Sequence, residues 1–169
     1  MNLLLTDTPL QTVLPPDSHY WNVAHLQIKN CLGCFGCWVR TPGKCVLRDD
    51  AVKIYPQIAA SSKVLYVTKV CFGSYDVPLK TMLERAIPIQ QAFLRLHHGE
   101  THHVQRAVQE KQAVIIAYDC TDPQEQELFC RLIQRNAENM LFKSWQVRFV
   151  SREELEQAVQ QEVDKWHSV

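Results

Sequence analysis

Five short apolar runs set the range of folds open to this chain: Asn2–Thr6 (NLLLT), Trp21–Ile28 (WNVAHLQI), Lys63–Val70 (KVLYVTKV), Gln112–Tyr118 (QAVIIAY) and Trp145–Val150 (WQVRFV). Runs with so few polar positions mark strands covered on both faces, as in a parallel sheet between layers of helix. The intervening segments have helix signals. Asp122-Pro123-Gln124-Glu125 supplies an N-cap, a first-turn proline and a capping-box acid, and Leu128, Leu132, Ile133 and Met140 follow at helical spacing. Ser151-Arg152-Glu153-Glu154 opens a last helix along Leu155, Val159 and Val163. A helix is expected to begin at Pro78 and to end near Ile87, and another to run over 50–60 around Pro56. This alternation defines an α/β, doubly wound sheet in a single domain over residues 1–169. Such sheets place ligands beyond the carboxyl ends of their strands, here at Asp7–Leu10, Lys29–Cys45, Cys71–Asp76 and Asp119–Pro123.

Charge and composition narrow the function. The 18 Lys and Arg balance the 18 Asp and Glu, so the chain has no basic excess with which to grip nucleic acid or an anionic membrane. The N-terminal residues MNLLLTDTPLQTVLPP lack the basic and long apolar regions of a signal peptide, and no apolar run could span a bilayer. A cytoplasmic location is the expectation. Seven cysteines in a reducing compartment point to metal or redox work and not to a disulfide framework.

Four of the cysteines and three of the five glycines crowd into residues 31–45, CLGCFGCWVRTPGKC. The thiols of Cys31, Cys34, Cys37 and Cys45 are spaced C-x2-C-x2-C-x7-C, with Gly33, Gly36 and Gly43 allowing tight backbone turns around a compact centre. Three closely spaced thiolates closed by a fourth is the ligand logic of an iron–sulfur cluster. Zinc is the alternative, although its sites more often pair two CxxC knuckles across a longer loop. Unligated thiols are a third.

The same residues carry a resemblance. CLGCFGCWVRTPGKCVLRDD resembles the cysteine segment of the NADPH-dependent FMN reductase family, in particular its iron–sulfur flavoprotein branch. VCFGSYDVPLKTMLER resembles that family's strand–loop–helix signature, and together these motifs and the strand order extend over roughly residues 28–150. The resemblance implies a flavodoxin-like five-stranded sheet of order 2-1-3-4-5, with FMN at the switch point. It implies an NAD(P)H-dependent, FMN reductase-like oxidoreductase or electron-transfer protein, and a homodimer. It also implies a cluster on Cys31, Cys34, Cys37 and Cys45, and flavin contacts from Thr68, Val70, Cys71, Phe72, Gly73, Ser74 and Tyr118. No nicotinamide fingerprint identifies the electron donor. The alternative is a non-catalytic relative that uses the cysteine knot, with zinc or free thiols, as a binding or assembly module.

Two departures from the family stand out. The first strand should run into a Gly-Ser-Pro-Arg type loop and a full helix that cradle the FMN phosphate. Here DTPLQTVLPPDSHY follows, with no Gly, no Lys or Arg and no helical periodicity, so the first helix is expected to be missing or reduced. The loop Tyr118-Asp119-Cys120-Thr121-Asp122 has carboxylates where glycines are usual. Lesser features are the run His97-His98-Gly99-Glu100-Thr101-His102-His103, expected as a solvated loop with ligation of zinc or iron as the alternative, and Asp49-Asp50, expected to cap a helix. Cys120 and Cys130 are expected as ordinary buried thiols.

Overall fold

The computed structural model describes residues 1–166; residues 167–169 at the end of the expected single unit lie outside the described residues. Its parallel strands are β1 (Asn2–Thr6), β2 (Ser18–Asn22), β3 (Lys63–Cys71), β7 (Lys111–Tyr118) and β8 (Phe142–Val150), ordered β2-β1-β3-β7-β8. Counting only these, the order is 2-1-3-4-5, the flavodoxin-like arrangement. A two-residue strand β4 (Ser74–Tyr75) folds back antiparallel on β3. The helices are α1 (Gly36–Val39), α2 (Ala51–Ala60), α3 (Val77–Glu84), α4 (Pro123–Met140) and α5 (Leu155–Asp164). No helix among the described residues is long and apolar enough to cross a membrane.

The core has two sides, as continuous apolar strands require. Leu3, Leu5, Val64, Tyr66, Ala113 and Ile115 face α2, α3 and α4. Leu4, Leu65, Val67, Ile116 and Tyr118 face α5 through Leu155, Val159 and Val163. No helix joins β1 to β2. Pro9, Pro15 and Pro16 break the connection, and Leu10 and Leu14 cover the α5 face in its place. Thr12 Oγ1 donates to Gln160 Oε1 at 2.8 Å, tying this strap to α5.

Four details differ from the sequence expectations. β2 is Ser18–Asn22, not Trp21–Ile28: an edge strand pairs on one side only and needs no apolar run. The apolar stretch after it forms a 3₁₀ turn over Val23–His25, capped by the Asn22 side chain on Ala24 N. In α4 the buried stripe is Phe129, Ile133 and Ala137, while Leu128 faces outward. The histidine run forms a hairpin of β5 (Gln90–His97) and β6 (Glu100–Gln105), not a loop. Its two-residue turn, His98 (φ 49°) and Gly99 (φ 78°), has the left-handed pair that antiparallel strands favour. Phe93, Leu94 and Leu96 lie exposed on it.

Tyr66, central in β3, is fully enclosed, and its hydroxyl has no hydrogen-bond partner. An unpartnered buried hydroxyl costs free energy that its removal returns. Tyr66→Phe is expected to stabilise the fold by about 0.5–1.5 kcal/mol, read as a raised urea midpoint at unchanged slope. A lowered midpoint would contradict this account.

Candidate functional site

The cysteine loop is held shut by a buried ion pair. Arg85, at the C-terminal end of α3, is 1% exposed and pairs with Asp49, which is 7% exposed. Its Nη1 donates to Asp49 Oδ2 at 2.6 Å and its Nη2 to Asp49 Oδ1 at 2.9 Å, a bidentate fork. The same guanidinium donates to the Lys29 carbonyl at 2.6 Å and reaches Cys45 Sγ at 3.4 Å. Asp49 also accepts from Lys29 N at 2.9 Å, and Asp50 from Gln27 N at 3.0 Å. The acidic pair therefore does more than open α2: it clips the start of the cysteine loop to its end. Burial acts to raise the Asp49 pKa, but the Arg85 contacts and the Lys29 amide outweigh it and hold the carboxyl below its ordinary value.

Inside this clasp the four cysteines line one small cavity of about 70 Å³, closed by Leu32, Phe35, Val46, Leu47 and Ile87. A single water needs only about 10–15 Å³ by the same measure, so the space admits a larger group. Cys37 is buried, Cys45 half-buried, and Cys31 and Cys34 exposed. Burial first, then the sulfurs of Cys45, Cys31 and Cys34, push the Cys37 thiol up.

The backbone is shaped as well. Gly33 (φ 61°) and Phe35 (φ 54°) are left-handed on either side of Cys34. Phe35 adopts this conformation at a steric cost that a bulky residue rarely bears. Among the described residues, the peptide N–H groups of residues 31–35 find no protein acceptor. Outside the loop, Trp38 Nε1 donates to Ile87 O at 3.3 Å, and its ring lies 4.6 Å from that of His103 on the hairpin.

The seven positions implied for flavin contact divide into two groups. Phe72 (φ 52°) and Gly73 (φ 66°) form the tight turn between β3 and β4, with Cys71 paired to Ser74 below them. Phe72 is 92% exposed, so its ring is free on the surface at the switch point. Gly73 is needed there: a Cβ would come within 2.5 Å of Leu128 Cδ2, and its amide donates to Glu125 Oε1 at 3.0 Å. Thr68, Val70 and Tyr118 are buried, and the two hydroxyls point inward.

What those hydroxyls hold is Asp7, which the sequence analysis did not single out. Asp7 Oδ2 accepts from Thr68 Oγ1 at 2.7 Å and from Lys69 N at 2.9 Å, and its Oδ1 from Tyr118 OH at 2.8 Å. Arg152 lies 4.6 Å above the Tyr118 ring and donates to Thr8 Oγ1. Burial pushes the Asp7 carboxyl up against the pull of its donors, and burial with the neighbouring Asp7 pushes the Tyr118 phenol up. A protein carboxylate at the end of β1 thus takes the donors a phosphate would need. No helix follows β1 to bring its N-terminus to this point. These residues do not fit an FMN phosphate.

The fold and its switch point are those of flavodoxin-like proteins. No protein-family model matches the chain. It is 25% identical over 77 residues to an iron–sulfur flavoprotein of Methanocaldococcus jannaschii, a match over 46% of this chain and 39% of that protein. The chain thus spans about two-fifths of the length of that curated relative. By fold it is similar to an FMN-dependent NADH-azoreductase of Bacillus anthracis solved with FMN, with a TM-score of 0.63, 9% identity, and 99% and 97% of the two chains covered. It is also similar to an NAD(P)H:quinone oxidoreductase of Methanothermobacter marburgensis, with a TM-score of 0.55, 8% identity, and 97% and 95% covered.

Asp49→Asn leaves the buried Arg85 charge uncompensated and is expected to cost about 3–5 kcal/mol. The double variant Asp49→Leu with Arg85→Met is expected to fall well short of that loss. Because the folded Asp49 pKa lies below its unfolded value of about 3.9, its contribution is full above that pH and is lost as pH falls through the folded value. Urea titrations between pH 7 and pH 3 measure both effects; equal stability of Asp49→Asn and wild type at pH 7 would refute them.

Proposed function

We propose that this protein is an electron-transfer oxidoreductase whose redox centre is an iron–sulfur cluster held by Cys31, Cys34, Cys37 and Cys45 on a flavodoxin-like scaffold. The convergence of four thiols on one apolar cavity is the observation that carries the reading. A tetrahedral zinc site would hold its sulfurs about 3.8 Å apart, from Zn–S bonds of about 2.3 Å. Among the described residues, no three of these sulfurs lie within 4.8 Å of one another, a spread that suits a centre larger than one ion. The N–H groups of residues 31–35, which have no protein acceptor among the described residues, support the same reading, since hydrogen bonds to cluster sulfurs tune its potential. So does the name of the archaeal relative. The seven cysteines are all free thiols, as a reducing compartment such as the cytoplasm keeps them.

Bound there, such a cluster supplies one-electron exchange with a donor and an acceptor. The chain's own part is positional. Cys37 and Cys45 anchor the inner side, Arg85 sets a fixed positive charge beside Cys45, and exposed Cys31 and Cys34 leave the outer side near solvent. No side chain in the loop is required to move a proton.

A flavin at the switch point is supported by the exposed Phe72 turn and by the FMN-dependent azoreductase of the same fold. The Asp7 network argues against tight capture of its phosphate.

Reconstitution with ferrous iron and sulfide under anaerobic conditions tests the cluster. The expected product is brown, bleaches on reduction, and contains iron and acid-labile sulfide in a near 1:1 ratio. Cys34→Ser is expected to lose that absorbance, while Cys130→Ser keeps it. Colourless protein, or a colour indifferent to Cys34→Ser, would overturn the reading. Flavin titration tests the phosphate argument separately. Wild type is expected to bind FMN no more tightly than riboflavin, whereas Asp7→Ser, which frees the Thr68, Lys69 and Tyr118 donors, favours FMN at least about tenfold. A clear FMN preference in wild type would contradict it.

A further inference from the structure

A second cluster of ligating side chains lies away from the cysteines, where the hairpin tip meets α4. His97 Nε2 lies 3.0 Å and His98 Nδ1 3.1 Å from the same oxygen, Glu138 Oε2. Among the described residues this trio is the one group of three or more ligating side chains whose ligand atoms all fall within 4.8 Å of one another. The two imidazoles stack with centroids 4.0 Å apart at 25°. Adjacent ligands around one ion with bonds of about 2.1 Å are about 3.0–3.4 Å apart, so the spacing already suits a shared metal.

Electrostatics points the same way. Glu138 sits in the last turn of α4, where the helix dipole disfavours an anion, and that turn has no basic residue. Its neighbours are committed elsewhere. Arg135 pairs with Glu100, and His102 with Glu100 and Asn139. Among the described residues, the imidazoles of His97 and His98 are the only ion-pair partners of Glu138. His98 takes a left-handed backbone (φ 49°) in the turn that brings its ring back over the helix.

We infer that His97, His98 and Glu138 form a site for a divalent transition metal of the zinc class, which clips the β5–β6 hairpin onto the end of α4. Two neutral imidazoles and one carboxylate suit a borderline metal, and three protein ligands leave a position open to water or to a fourth donor. This inference is independent of the cluster reading, since the two sites share no residue.

Zinc titration against a chromophoric chelator tests it on the full chain. The variant with Cys31, Cys34, Cys37 and Cys45 all changed to Ser is expected to retain one zinc equivalent. Adding His98→Ala or Glu138→Gln is expected to weaken that equivalent at least tenfold with an unchanged circular dichroism spectrum. Zinc is also expected to raise the melting temperature of the parent but not of these variants. If the four-Ser variant does not fold, His98→Ala is compared with wild type, where loss of one equivalent supports the site. No zinc equivalent outside the cysteines, or affinity indifferent to both substitutions, would overturn it.

Discussion

The Asp49–Arg85 pair is the contact on which the functional half of this molecule depends. Between Lys29 and Cys45 the chain has one short helix and no strand, so nothing periodic holds the four cysteines together. One guanidinium, pinned at the end of α3, ties down the carbonyl that precedes Cys31, the sulfur of Cys45 and the carboxylate that opens α2. A buried pair of this kind contributes little net stability, because desolvation consumes most of the Coulomb gain. Its effect here is on geometry. It converts an irregular segment into a loop with fixed ends, and it places a permanent positive charge beside the Cys45 sulfur.

The other end of the switch point shows the opposite use of charge. In a flavodoxin-like fold the first helix donates its N-terminus to a phosphate, and the site is a gap lined by donors. Here the helix is absent and the donors converge on Asp7 instead. The two changes are consistent with each other. With no helix after β1, Asp7 supplies the partner that the buried Thr68 and Tyr118 hydroxyls would otherwise lack. The proline-broken strap then covers the α5 face with Leu10 and Leu14, so the sheet stays closed on both sides.

The parts of this molecule that were legible in sequence are those written locally. β1, β3 and β7 lie inside the sheet, and burial on both faces leaves nearly pure apolar runs. β2 is an edge strand with half-exposed polar residues, and the apolar run beside it misplaced it. The hairpin was hidden because exposed Phe93, Leu94 and Leu96 blur its alternation, leaving only His98-Gly99 as a turn signal. At the site, the spacing of the four cysteines was readable, but their clasp was not: Arg85 lies 36 residues beyond Asp49. Asp7 meets Thr68 across 61 residues and Tyr118 across 111, and no local pattern encodes such pairings.

The hairpin links these features. Trp38, one residue past Cys37, packs against His103 of β6 with the rings tilted, and Gly43 lies against Arg106 just after that strand. The cysteine loop therefore rests on the hairpin as well as on α3. At its far end the hairpin is held to α4 by side chains, through Glu138 on His97 and His98, through Arg135 on Glu100 and through His102 on Asn139. Exposed polar contacts of this type are individually weak. The base of the hairpin beside Trp38 has anchors of its own, with Gln90 and Gln105 donating to the Asn139 carbonyl and Arg106 N to Ile89 O. Arg85 fixes the ends of the cysteine loop, and the hairpin sets how firmly its middle is backed.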